Sequence, residues 1–214
     1  MEHSHLIILE ARMTVYFIGG SPCSGKSTAA QALAERFGLH YFKVDDHLDR
    51  YIQQAAEAGK QHCAAIRQMT PEQIWMRDPL VQCEEELLIY QEIFEYILAD
   101  LEKMNFENGV ITEGAAYLPM LAKKAGVPAG RYLSITPTKA FQVAHYRLRE
   151  WVPYVLAECS DKAAAFDNWM ERDALFAKAV QQQCHELGYV SLVNGGQQSE
   201  ENLIAGVAAH FQLA

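Results

Sequence analysis

The chain has no apolar run long enough to cross a bilayer, no C-x-x-C pair, no internal repeat and no Pro/Gly-rich linker. Each absence removes a class. A spanning helix needs about 20 consecutive apolar residues. The stretch His5-Leu6-Ile7-Ile8-Leu9 is too short for a secretory signal and lacks its basic flank. Cys23, Cys63, Cys83, Cys159 and Cys184 are odd in number and scattered. That pattern points to reduced thiols and a cytoplasmic protein rather than a disulfide scaffold or a zinc site. His3 and His5 form an H-x-H pair in a terminus read as loose, where no specific metal site is expected. Basic charge is also scarce: 18 Lys and Arg face 27 Asp and Glu, for a net charge of −9. A nucleic-acid binder needs clustered Lys and Arg, so neither nucleic acid nor membrane is an expected partner. With no linker or repeat, 214 residues read as a single domain large enough to bury a core. Residues 1–12, ahead of Met13, read as a dispensable extension.

What the chain does have is Gly20-Ser21-Pro22-Cys23-Ser24-Gly25-Lys26-Ser27, a match to G-x-x-x-x-G-K-[ST]. Residues 14–18 before it read as a buried strand, and 28–37 after it as an amphipathic helix. Glycines let successive N–H groups curl around a phosphate, and the helix N-terminus adds about half a positive charge. Lys26 can reach the β- and γ-phosphates, and Ser27 can offer a hydroxyl to Mg²⁺. The donor-binding residues are therefore Gly20, Ser21, Pro22, Cys23, Ser24, Gly25, Lys26, Ser27 and Thr28. Cys23 reads as a tolerated small residue of the loop.

Five strands are expected, over residues 15–19, 40–44, 109–112, 132–135 and 189–193. Helical stretches separate them, which implies βαβ units and a parallel sheet covered on both faces. Ligands of such sheets lie at the carboxyl ends of the strands. The expected core is 13–60 with 109–214. Residues 61–108 form a helical substrate insertion ending in a long helix over 80–104, and about 138–172 form a lid.

The strand ends supply the chemistry. Asp45 and Asp46 follow the second strand, where a carboxylate can take a proton from an attacking hydroxyl or hold the metal. Asp45 is the expected base, and Asp46 a metal-side or helix-capping group. Glu113 ends the third strand and can orient Mg²⁺ with Ser27. A helix over 137–150 carries Arg147 and Arg149, and Arg172 lies on the next. Guanidinium groups there, flanking a mobile connection over 151–162, can stabilise a migrating phosphoryl group. Arg147 and Arg172 are preferred to Arg149. Arg77 and Tyr117 are the expected acceptor contacts, with Arg67 and Arg131 as looser candidates. Trp151, Phe166 and Trp169 read as packing residues. The turn Asn194-Gly195-Gly196 can border a base or be a plain loop.

In this order the phosphate loop, acidic pair, acidic strand end and arginine lid resemble the kinase-like branch of P-loop phosphotransferases. That branch includes adenylate, shikimate and gluconate kinases, chloramphenicol phosphotransferase and zeta-toxin kinases. The resemblance implies a three-layer α/β fold with a five-stranded parallel sheet and a central phosphate-loop strand. It also implies MgATP as donor, and Lys26, Asp45 and the lid arginines as catalytic residues. The acceptor would be a small molecule or nucleotide, and a homodimer is an open expectation. The D-G-F-P-R segment of adenylate kinases is replaced here by Glu113-Gly114-Ala115-Ala116-Tyr117-Leu118-Pro119. The D-x-D and triple-glycine signatures of shikimate kinases are missing, which leaves the acceptor open. A nucleotide-gated switch is the alternative. Against it, D-x-x-G and N-K-x-D segments are absent, Gly195-Gly196-Gln197 only faintly echoes an ABC signature, and AAA machinery needs a longer chain.

Overall fold

A computed structural model describes residues 13–213. The readings of residues 1–12 as an extension and of His3 and His5 lie outside them. Five strands, β1 (Val15–Gly19), β2 (His40–Lys43), β3 (Val110–Glu113), β4 (Tyr132–Pro137) and β5 (Val190–Asn194), form one parallel sheet in the order β2-β3-β1-β4-β5. The phosphate-loop strand is central, flanked by β3 and β4. Its residues are all buried, as a parallel strand covered on both faces requires. The three-layer α/β arrangement with a P-loop NTPase fold is therefore present.

Side chains alternate between two cores with the period of a strand. Tyr16 and Ile18 pack with α1 (Lys26–Phe37) and, past β5, a C-terminal helix (Glu200–His210). Val15 and Phe17 face the other side, where residues of the long helices 79–102 and 162–187 pack. Between β2 and β3 run α2 (Leu48–Glu57), α3 (Gln61–Ile66), α4 (Pro71–Trp75) and α5 (Pro79–Glu102). Local chemistry sets their ends. Gly38, at φ 64, closes α1 with its N–H on Ala34 O. Thr70 and Gln73 form a capping box on α4, and Asp78 accepts from Leu80 N at 2.8 Å ahead of Pro79 at the start of α5. After β3 come α6 (Pro119–Lys124), then past β4 α7 (Lys139–Tyr146), α8 (Val152–Val155), α9 (Lys162–Leu187) and the C-terminal α10 (Glu200–His210). Among the described residues no helix is long and apolar enough to cross a membrane.

Three details differ from the sequence reading. β3 starts at Val110 because Gly109 turns at φ 91, and it runs through Glu113, which is thus inside the sheet. The helix expected over 137–150 stops at Tyr146. Tyr117 is a core residue rather than an acceptor contact. It is 1% exposed, stands edge-on to Phe17 at 5.2 Å, and shares a 2.6 Å hydrogen bond with Thr112 Oγ1.

α5 carries polar groups of the crevice on its first turns and anchors them through a buried stripe that includes Ile97, which is fully buried. Ile97→Ala should lower the unfolding free energy by about 2–5 kcal/mol through lost burial and a cavity. Urea unfolding read by circular dichroism checks this through a lower midpoint at unchanged slope.

Candidate phosphoryl-transfer site

The loop after β1 is shaped by contacts that exclude side chains. Gly20 has φ 116, and a Cβ there would collide with the backbone of Ile135 on β4. Gly25 has φ 92 and opens α1, so that helix directs its free N–H groups at the loop. Cys23 is left-handed as well, at φ 58, which is costly for a residue with a side chain. The sequence reading gave it no such role. Lys26 is 5% exposed, and its Nζ donates to Ser21 O at 2.9 Å across the loop. Asn194 Nδ2 donates to Ser24 O at 3.0 Å, so the turn after β5 braces the loop.

Glu113 faces this loop from β3 and is 1% exposed. Its Oε1 accepts from Ser27 Oγ at 2.9 Å and from Tyr41 Oη at 3.0 Å. Its Oε2 is buried without a hydrogen-bond partner among the described residues. Burial, followed by the Glu113 carboxylate, pushes the Tyr41 phenol well up, so Tyr41 remains a donor. A buried carboxylate with one bare oxygen beside a P-loop serine fits a hard divalent cation, which binds few protein oxygens when phosphates supply others. Buried Ser21 Oγ and Ser24 Oγ also lack partners among the described residues, as a loop built for phosphate oxygens would.

The carboxylates after β2 part company. Asp46 is ion-paired with Lys43 at 2.8 Å and has an exposed side chain. It does not cap α2, whose N-cap His47 has no side-chain cap. The Asp45 side chain is exposed and has no hydrogen bond or ion pair among the described residues; burial raises the Glu86 and Tyr90 pKa values, and the Asp45 charge adds a smaller contribution.

The arginines also divide. Arg147 is exposed, over the Phe166 ring at 5.9 Å. Arg149, the less favoured residue in the sequence, lines a cavity of ≈ 480 Å³ with Cys23, Thr28, Phe141, Asn194 and Leu203. Burial pushes the Cys23 thiol up, and the Arg149 guanidinium pulls it partly back. Arg172 is built into the interior. It pairs with Glu86 at 2.9 Å and Asp173 at 2.7 Å, and sits over Trp75 at 5.3 Å. Arg77 pairs with Glu85 at 2.6 Å. Arg131 lies ahead of β4, at the amino edge of the sheet, stacked on Tyr16 at 4.6 Å and remote from the strand ends. Arg67 is exposed at the end of α3.

The connection over 151–162 carries local structure. It contains α8, and Ser160 donates from N and Oγ to Glu72 at 2.7 Å each. Trp151 and Trp169 pack beside Tyr146, and Trp169 stacks on Trp75 at 4.3 Å. The lid segment and the insertion are thereby joined.

Residues 14–112, from β1 into β3, match the family model described as AAA domain. No curated protein matches the chain. Among solved structures, the YorR protein of Bacillus subtilis, in complex with phosphorylated GDP, is 12% identical. That match covers 94% of this chain and 96% of that one, at a TM-score of 0.42. A protein of Chloroflexus aurantiacus described by name as a kinase is 13% identical over 93% and 98% of the two chains, at a TM-score of 0.38.

Burial pushes the Asp173 and Glu86 carboxyls up, while Arg172 between them opposes the shift. An acid raised in the folded state binds more protons there than in the unfolded chain, so it costs stability as pH rises from the usual carboxylate range through the raised value. Relative to wild type, Asp173→Asn should therefore lose less stability between pH 5 and pH 8 (a range set by ordinary carboxylate values of about 4). Urea midpoints across that range check this; identical slopes would contradict it. The phosphate loop and the strand order are those of a P-loop nucleotide-binding fold, and the AAA domain match spans the part of the chain that carries the loop.

Proposed function

We propose that the chain is an ATP- and Mg²⁺-dependent phosphotransferase acting on a small molecule or nucleotide. The observation that carries this reading is the Ser27–Glu113 hydrogen bond at the mouth of the loop, with Glu113 Oε2 bare beside it. Ser27 and Glu113 would hold Mg²⁺, which supplies charge neutralisation on the polyphosphate. Loop N–H groups and Lys26 would bind the phosphates, and Arg149 flanks the same cavity. Asp45, on the turn after β2 and without a side-chain partner among the described residues, orients the acceptor hydroxyl and takes its proton. The hydroxyl oxygen forms a bond to the γ-phosphorus as the bond from that phosphorus to the bridging oxygen breaks, and the electron pair leaves with ADP. Arg172 holds Glu86 and the packing around Trp75 instead of touching the phosphoryl group. A regulatory switch needs a segment released by hydrolysis; the tethers from Ser160 to Glu72 and from Asn168 to Trp75 O favour the transferase.

Lys26→Ala should abolish MgATP binding in calorimetry; unchanged binding would sink the loop assignment. Asp45→Asn should bind MgATP within about threefold of wild type, yet slow acceptor-dependent ADP release by about 10²–10⁴-fold. Normal release in that variant would remove Asp45 as the base.

A further inference from the structure

A second cavity, of ≈ 270 Å³, lies among α2, α4, α5 and Arg172 of α9. Leu48, Ile52, Ile74, Trp75 and Ile89 form its apolar walls. Leu48 in its wall begins α2 directly after the turn that carries Asp45. On the other flank, Asp173 beside Arg172 feels the charge of Lys26.

The cations of this cavity are already neutralised. Arg77 pairs with Glu85 and Arg172 with Glu86, and all four residues line it. Arg172 is shared with Asp173 too, so carboxylates outnumber guanidinium groups around it. A phosphate or carboxylate on the acceptor would have to break a pair and then sit beside the displaced acid, a like-charge contact costing several kcal/mol by the usual estimate of roughly that size. Gln82 adds to that bias. Gln82 is 4% exposed and lines the cavity; its Nε2 donates to Arg77 O at 2.8 Å and Trp75 O at 3.4 Å. Two carbonyl partners fix the amide orientation, leaving Oε1 buried and without a partner among the described residues. A carbonyl oxygen under the cavity wall adds to the negative character of the lining and further disfavours an anion.

We infer that the phosphate acceptor is an uncharged alcohol with an apolar body, held between α2, α4 and α5. This rests on the phosphotransferase reading and narrows it, because it excludes nucleoside monophosphates, sugar phosphates and sugar acids as preferred acceptors.

The test uses the full chain with MgATP and matched acceptors: 3-phenyl-1-propanol, adenosine and glucose, each against its phosphate monoester. ADP release gives kcat/KM, and phosphorus NMR identifies the product. The uncharged member of each pair should be favoured by about tenfold or more, with phenylpropanol ahead of glucose, a gap of roughly 1.4 kcal/mol or more. Glu85→Gln, which releases Arg77 from its partner, should raise kcat/KM for the esters by about tenfold relative to the alcohols. Esters preferred by the wild-type protein, or no release with any uncharged alcohol while MgATP still binds, would overturn the inference and leave the donor site standing. Absence of MgATP binding would overturn the phosphotransferase reading itself, and this inference with it.

Discussion

One buried carboxylate ties the crevice together. Glu113 lies opposite Ile18 of β1 and Lys43 of β2 in the sheet register, and it receives hydrogen bonds from Ser27 on α1 and Tyr41 on β2. Withdrawing an ionised carboxylate from water costs several kcal/mol, on the order of 5, unless partners restore what hydration gave. Here two donors converge on one oxygen and the second oxygen is bare. The protein alone thus leaves part of that cost unrecovered, at the spot where a cation bound to a polyphosphate would recover it. The same contact fixes the loop relative to β2, and through the β2 end it fixes Asp45.

The second buried group, Arg172 with Glu86 and Asp173, performs a different task. Burial works against the Arg172 charge, but Asp173 and Glu86 hold the guanidinium ionised. Because α9 carries Arg172 and Asp173 while α5 carries Glu86, the network joins the segment after β4 to the helices between β2 and β3. Gln142 on α7 extends it, donating to Asp173 Oδ2 at 3.0 Å. Removing one member would strand a charge, which is far more costly than exchanging the set for apolar groups. Arg149, partly exposed and stacked over Tyr146 and Trp151 at 5.1 and 5.4 Å, is spared that constraint and can follow a ligand.

Residues 20–27 were legible because a strand, a glycine turn and a helix start are contiguous in the chain, and the motif needs no tertiary contact to be recognised. Sheet class and strand positions followed from the apolar runs, to within a residue or two at each end. What failed to show was direction. Arg147 and Arg149 are two residues apart, and which one meets the loop depends on α7 ending at Tyr146 instead of continuing for another turn. Tyr117 follows Glu113 closely in sequence, yet the chain turns inward after β3 and seats its ring against Phe17. The pairing of Arg172 with Glu86 joins residues far apart in the chain, and no local pattern encodes it. Arg131 did carry a usable signal: a residue just before a parallel strand falls at the amino edge, away from where such sheets bind ligands.

Strand order separates the segments that build the two cavities. With β1 central, β3 and β2 lie on one side and β4 and β5 on the other. Segments leaving β4 and β5 build the cavity with Arg149 and Asn194, while those leaving β2 build the apolar one with Gln82. Displacement at phosphorus requires the attacking and leaving oxygens in line, hence two reactants approaching from opposite directions. A switch or hydrolase needs room for a nucleotide and a water, whereas the second cavity is walled mainly by apolar side chains of α2, α4 and α5. Water gains nothing from apolar walls; an alcohol with a hydrocarbon body gains about 25 cal/mol for each Å² it buries. On the phosphotransferase reading, the chamber's apolar walls therefore favour transfer to an organic hydroxyl over hydrolysis.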